Sequence, residues 1–334
     1  LDREVGTAHR GPRFTSDRFL VIGRAGMDFY ADPPGTRLEN GDRFVAALGG
    51  SSANIAAGLC RLGGRAALLT CVSDDPVGEF CLGKLAEFGV ETQYVSRTGG
   101  EARTSLAVCD TRGDGTQVVI YRNGAADLRM AVKDVGCADI AGFGGLVITG
   151  TALAGEPSRS ATLMAIETAR AAGVTTVFDL DYRPYSWPDA ETSSRIYTKG
   201  AENCDIIVGN DDEFGVLATS FRDGLDAARG LARDGRTVIF KMGRRGSIAL
   251  TPDREIHTGA FKVDALKPTG AGDAFMAGFL IAMARGHSLR GSIVRGSAAA
   301  AIVVTRVGCA PAQPTADELD RFVSTHQIPK SSKE

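Results

Sequence analysis

Long apolar runs are missing from this 334-residue chain. The longest, at 274–284 and 298–304, fall well short of the ~20 residues that span a bilayer, so no membrane partner is expected. Cysteine is sparse and shows no pairing pattern. The seven residues (Cys60, Cys71, Cys81, Cys109, Cys137, Cys204, Cys309) are odd in number, scattered and without C-x-x-C spacing. That excludes a disulfide framework or a zinc site and makes reduced thiols in the cytoplasm the expectation. The four histidines (His9, His257, His287, His326) also lack metal-ligand spacing. No charge of one sign prevails: 38 Lys and Arg face 40 Asp and Glu, so nothing draws the chain to polyanions and no nucleic-acid partner is expected. Residues 1–18 are polar and mixed in charge, with no apolar stretch behind a basic start, so no secretion signal is expected. Residues 1–17 and 326–334 read as loose tails, and repeats and low-complexity linkers are lacking.

What is present is a globular composition, 43% hydrophobic and 23% charged, long enough for roughly two domains or one large α/β domain with an appendage. The 42 glycines exceed the usual share of about 7% and point to tight turns and close backbone approaches. Strand-like runs at 18–23, 66–72, 145–149, 175–180, 205–208 and 237–241 alternate with helical periodicity at 51–62, 77–88, 158–172, 190–203 and 225–233. Such alternation predicts right-handed crossovers and a mostly parallel sheet covered on both faces. Two further β runs, 247–251 and 255–262, suggest antiparallel strands at its edge, and two alanine-rich helices follow at 272–285 and 288–304. One interruption stands out: the runs SLAVC and TQVVI flank Arg112-Gly113-Asp114-Gly115, a hairpin signal. With residues 28–48, segment 102–124 reads as a small inserted β layer.

The stretch richest in chemistry is Lys267-Pro268-Thr269-Gly270-Ala271-Gly272-Asp273, a glycine turn running straight into an apolar helix. Unpaired amides and the macrodipole at a helix start attract an anion, and glycine lets the main chain approach a phosphate closely. Asp273 in the first turn could take a proton from an incoming hydroxyl beside that anion, the pairing that phosphoryl transfer needs. An isolated G-A-G-D fits equally a carboxylate that merely complements the helix dipole. Neither a Walker loop nor a complete G-x-G-x-x-G is present, which disfavours P-loop and dinucleotide folds.

The segment from Lys267 to Gly278 resembles the C-terminal signature of the ribokinase-like (PfkB) carbohydrate kinases, and Gly49-Gly50-Ser51-Ser52-Ala53-Asn54 resembles their N-terminal one. Asn210-Asp211-Asp212-Glu213 resembles the family's N-x-x-E, and Gly243-Arg244-Arg245-Gly246 its nucleotide-contacting loop. The resemblance runs in order from about Arg18 to Phe322 and implies a three-layer α/β/α fold over residues 18–325 with a small β-sheet lid. It further implies that Asp273 is the catalytic base and that Gly270, Ala271 and Gly272 form the anion hole. Asn210, Glu213, Lys241, Gly243, Gly246 and Lys267 would serve ATP, with Glu213 reaching Mg2+ through water. Asp28, Gly49, Gly50 and Asn54 would hold the sugar, and the lid would be a homodimer surface as well as a cover. Ser52 departs from the small residue usual at its position. Lys267 stands where many members have an Asp that helps bind a monovalent cation, so its ammonium is expected to replace that ion.

The runs Gly23-Arg24-Ala25-Gly26-Met27-Asp28, Ile120-Tyr121-Arg122-Asn123, Gly150-Thr151-Ala152-Leu153 and Asp179-Leu180-Asp181-Tyr182-Arg183-Pro184-Tyr185-Ser186-Trp187 resemble a branch of the family whose substrate is a sugar acid. An acid held beside a triphosphate needs cationic partners, and guanidinium groups grip carboxylates with two prongs. Arg24, Arg122 and Arg183 are the candidates, with Arg183 able to face the phosphates instead. Within the same fold, 2-keto-3-deoxygluconate and fructose are alternative substrates, and a ligand sensor without catalysis is the alternative of another class.

Overall fold

A computed structural model describes residues 11–112, 115–218 and 222–328. Gly113 and Asp114 of the expected hairpin turn, and the ends of both expected tails, lie outside the described residues. The chain runs β1 (Arg18–Ile22), β2 (Gly26–Ala31), β3 (Phe44–Gly49), α1 (Ser51–Arg61), β4 (Arg65–Ser73), α2 (Pro76–Glu87), β5 (Val95–Thr98), β6 (Ser105–Cys109) and β7 (Val118–Tyr121). Next come α3 (Val132–Gly136), β8 (Gly145–Thr149), α4 (Ser158–Ala171), β9 (Thr175–Asp179), α5 (Ala190–Glu202), β10 (Ile206–Asn210), α6 (Asp211–Gly215), α7 (Gly224–Arg233) and β11 (Thr237–Lys241). It ends with β12 (Ser247–Leu250), β13 (Glu255–Thr258), α8 (Ala271–Ala284), α9 (Leu289–Val304) and α10 (Ala316–Thr325).

The large sheet has the order β13-β12-β11-β10-β9-β8-β1-β4-β5. From β11 to β5 every pairing is parallel, and β12 and β13 add an antiparallel edge, as the two late β runs predicted. Parallel strands need helices on both faces, which explains why β8 and β9 are buried throughout. One core layer joins the sheet to α1, α8 and α9 through residues such as Ile55, Ala277 and Ala298. The opposite layer packs Phe178, Ala165, Tyr197 and Ala228 beneath α4, α5 and α7. The alanines of α8 and α9 let those two helices lie close, and α8 is nearly apolar all round because it is buried on all sides.

A second sheet, β3-β2-β6-β7, is the inserted layer. Its β6–β7 pair is the antiparallel hairpin that the turn signal predicted, while β2 and β6 run parallel. Successive cross-strand rows alternate between the two faces of this sheet. Asp28, Tyr30, Ala107 and Cys109 are buried on the inner face. No helix among the described residues is long and apolar enough to cross a membrane.

Candidate active site

The carboxyl ends of β1, β8, β9, β10 and β11 open toward the first turn of α8, where ligands gather in open α/β sheets. Gly270 caps α8 with φ of 82°, a left-handed turn that aims the helix start at the strand ends. A methyl group on Gly270 would stand 2.9 Å from the Cys309 sulfur, so the turn is also packed tightly from behind. The Ala274 amide bonds back to the Gly270 carbonyl, and the Ala271 amide leans on the Pro268 carbonyl at 3.4 Å. The amides of Gly272 and Asp273 are therefore the ones left for an anion.

Asp273 accepts a 2.8 Å hydrogen bond from the Asn54 amide on α1. Asn54, expected on the sugar, thus also fixes the expected base. Burial, with Asp181 adding repulsion, pushes the Asp273 carboxyl up to about 6, against the pull of the Asn54 bond, Arg183 and Lys241. Lys241 reaches in from the end of β11, and a methyl on Gly272 would stand 3.4 Å from its ammonium. Burial works against that charge, but Asp179, Glu213, Asp273 and Asp181 together outweigh it and hold the lysine protonated. Asp179, at the end of β9, is raised by burial in turn, with Lys241 opposing.

Asn210 and Glu213 form a reciprocal cap on α6: the Asn210 side chain accepts from the Glu213 amide and Glu213 Oε2 from the Asn210 amide, each at 2.8 Å. This short motif is thus a structural cap that leaves Glu213 Oε1 free, 4.0 Å from Arg183. Arg183 also pairs with Asp181 at 2.6 Å, which sets it beside Glu213 and Asp273 rather than at the lid. Gly243 and Gly246 shape the turn between β11 and β12, both with positive φ. Lys267, grouped by resemblance with the nucleotide residues, is fully buried. Its Nζ donates to the Thr269 carbonyl at 2.5 Å, and its charge faces Cys309, Asp273, Cys109 and Asp28.

At the lid base, Asp28 lies over Gly49, where a methyl group would stand 2.0 Å from its carboxylate. Gly50, at φ of 91°, brings the start of α1 against the Arg24 carbonyl. Arg24 Nη1 donates to Ser105 Oγ at 3.2 Å. Arg122 is engaged elsewhere, ion-paired to Asp127 and donating to the Thr151 carbonyl at 2.8 Å.

Three residues at the site carried no functional signal of their own in the sequence. Tyr30 donates to Asp28 at 3.1 Å and lies 3.2 Å from the Cys309 sulfur, joining lid to body. Asp179 and Asp181 belong to a run noticed only for its resemblance. Asp181 adopts φ of 36°, rare for a residue with a side chain and the kind of strain that gathers at functional sites.

The pfkB family carbohydrate kinase model matches residues 16–316. The chain belongs to this family. It is 38% identical over 314 residues to the 5-dehydro-2-deoxygluconokinase of Photobacterium profundum, covering 92% of this chain and 95% of that one. Among solved structures, a fructokinase with bound ATP from Xylella fastidiosa aligns with a TM-score of 0.82 at 26% identity, over 92% and 98% of the two chains. Aminoimidazole riboside kinase from Salmonella enterica, complexed with its riboside and an ATP analog, aligns at 0.78 with 25% identity, over 92% and 100%. The fold is ribokinase-like α/β, and the protein is a phosphotransferase acting on a sugar hydroxyl. Asp273 at the start of α8, the Asn210–Glu213 cap after β10 and Lys241 at the end of β11 lie on elements that converge at one end of the large sheet of this carbohydrate kinase.

Proposed function

We propose that this kinase transfers the γ-phosphoryl group of ATP to the primary C6 hydroxyl of 5-dehydro-2-deoxy-D-gluconate, a sugar acid of myo-inositol breakdown. The observation that carries the chemistry is Asp273: an enclosed carboxyl, oriented by Asn54, beside free helix amides and the Lys241 ammonium. The choice of sugar acid rests on the likeness to relatives of that name over nearly the whole chain.

In this reading Asp273 takes the hydroxyl proton as the C6 oxygen bonds to the γ-phosphorus. The bond to the β–γ bridging oxygen breaks and ADP leaves. The Gly270–Gly272 turn and Lys241 meet the charge on the migrating group, at a site where low polarity makes each donor count for more. Arg183 adds a second cation held in place by Asp181. Gly243 and Gly246 shape the nucleotide-side turn. Asp28, with Gly49 and Gly50 keeping its flank open, receives sugar hydroxyls, and the lid excludes water that would otherwise accept the phosphoryl group.

Among the described residues no three His, Cys, Asp or Glu side chains converge as a metal cage. Mg2+ needs none, since it is bound by one or two carboxylates plus phosphates and keeps several waters. The free Oε1 of Glu213 and the Asp179 carboxylate are hard oxygen donors of that kind, and bound Mg2+ would supply charge neutralisation on the nucleotide phosphates.

The test is ADP release by the purified kinase with 5-dehydro-2-deoxy-D-gluconate, 2-keto-3-deoxygluconate and fructose. The expected ranking by kcat/KM puts the first substrate on top. A higher value for fructose would shift the assignment to a fructokinase, and no ADP with any sugar would leave a ligand sensor.

A further inference from the structure

We propose that Arg24 is the residue that reads the substrate carboxylate, an assignment that rests on the sugar-acid reading above and locates its acid end. A bound carboxylate needs a cation that is accessible and not already neutralised, because an arginine engaged by a buried acid has little left to offer. Arg122 is paired with the buried Asp127 and spans to the Thr151 carbonyl, which makes it a strut between the end of β7 and the turn after β8. Arg183 is paired with Asp181 and turned to Glu213. Lys267 is fully enclosed and cannot touch a ligand. Lys241 faces Gly272, at the phosphate end.

Arg24 differs from all four. It is half-buried at the lid base, and its side chain has one hydrogen-bond partner among the described residues, the neutral Ser105 hydroxyl. No carboxylate pairs with it there, and Asp28, the acid whose charge it feels, is engaged with Tyr30. Ser105 is itself buried on β6 and holds Nη1, which fixes the guanidinium plane and leaves the Nε–Nη2 edge unpaired. That edge offers two parallel N–H donors, the geometry that grips a carboxylate. The backbone beneath is fixed as well: the Arg24 carbonyl accepts the Ala53 amide of α1. Arg24 is therefore rigidly placed on the same shelf as Asp28, Gly49 and Gly50.

The experiment compares kcat/KM for 5-dehydro-2-deoxy-D-gluconate and for fructose, a neutral sugar, in the wild type, Arg24→Gln, Ser105→Ala and Arg122→Gln. Arg24→Gln is expected to lower the acid-to-neutral ratio about 100-fold, mainly through KM for the acid, since two charge-assisted hydrogen bonds are lost. Ser105→Ala, a milder change that keeps the charge but frees the plane, lowers the ratio about tenfold and decides the matter should Arg24→Gln not fold. Arg122→Gln lowers Tm and leaves the ratio alone. A wild-type ratio in Arg24→Gln, or in Ser105→Ala if only that variant folds, overturns the assignment while a wild type that still prefers the acid keeps the sugar-acid reading intact. A wild type that prefers fructose removes the reading and the assignment together.

Discussion

Asp273 is the residue at which catalysis and stability pull in opposite directions. Burial pushes its carboxyl up from the ordinary 3.8 to about 6, because the enclosure that would suit the proposed base also strips it of water. Activity should therefore fall below about pH 6 as the base protonates, and kcat/KM against pH should show that limb with unit slope. The stability linkage has the opposite sign. With the folded value above the unfolded one, the favourable contribution is complete below pH 3.8 and lost as pH rises through about 6. Asp273→Asn is neutral at every pH and can still bond Asn54. It should lose about 1,000-fold or more in kcat. It should also gain up to about 3 kcal/mol in stability at neutral pH, a gain that vanishes near pH 4. Turnover assays with thermal melts at both pH values check the pair of effects, and near-normal kcat in the variant would remove Asp273 as the base. Sequence could point to Asp273 because a glycine turn entering a helix is local. It could not show Asn54 reaching it from 219 positions away, nor the left-handed backbone of Asp181.

At the scale of elements, the loop before α8 carries a second consequence. Lys267 lies inside that loop with its ammonium on the Thr269 carbonyl, and burial, the larger influence, lowers its pKa while Cys309 and Asp273 oppose. A fixed charge bonded to the loop backbone can hold the turn as a bound cation would. The wild type is accordingly expected to have nearly the same kcat in potassium and in tetramethylammonium buffers, whereas Lys267→Met should lose about tenfold or more through a loosened anion hole. A wild type that idles without potassium would sink this role for the lysine. The neighbouring elements were legible for a simple reason: apolar strands and periodic helices alternate, and burial on both sheet faces makes that alternation unambiguous. β5 was not, because Val95–Thr98 is short, mostly polar and at the sheet edge, where pairing with β4 and not its own pattern makes it a strand. Likewise α6 is one turn long and exists because Asn210 and Glu213 cap it, a signal masked by its resemblance to a nucleotide motif.

The lid and the body together raise the question of what covers the lid's outer face. One cross-strand row on that face is Ala46, Phe29, Val108 and Val119, and the next is Leu48, Met27, Leu106 and Tyr121. All eight side chains are apolar. Leu48 and Met27 pack into the main core, but Val119 is 46% exposed and Tyr121 60%, with Phe44 at 38% beside them. A contiguous apolar sheet face is costly in water and marks a contact surface, and a two-fold partner presenting the same face would cover it. The sequence marked this layer as an insertion, yet which of its residues face outward depends on the register of β6 against both neighbours. A homodimer through the lid is therefore the expected state, and sedimentation at micromolar concentration should give two chains. Val119→Glu puts a charge on the exposed β7 edge of that face and should yield one chain, with a raised KM for the sugar because an unsupported lid closes less completely. A wild type that sediments as a single chain at that concentration would mean that the lid's outer face meets something other than a second copy of the kinase.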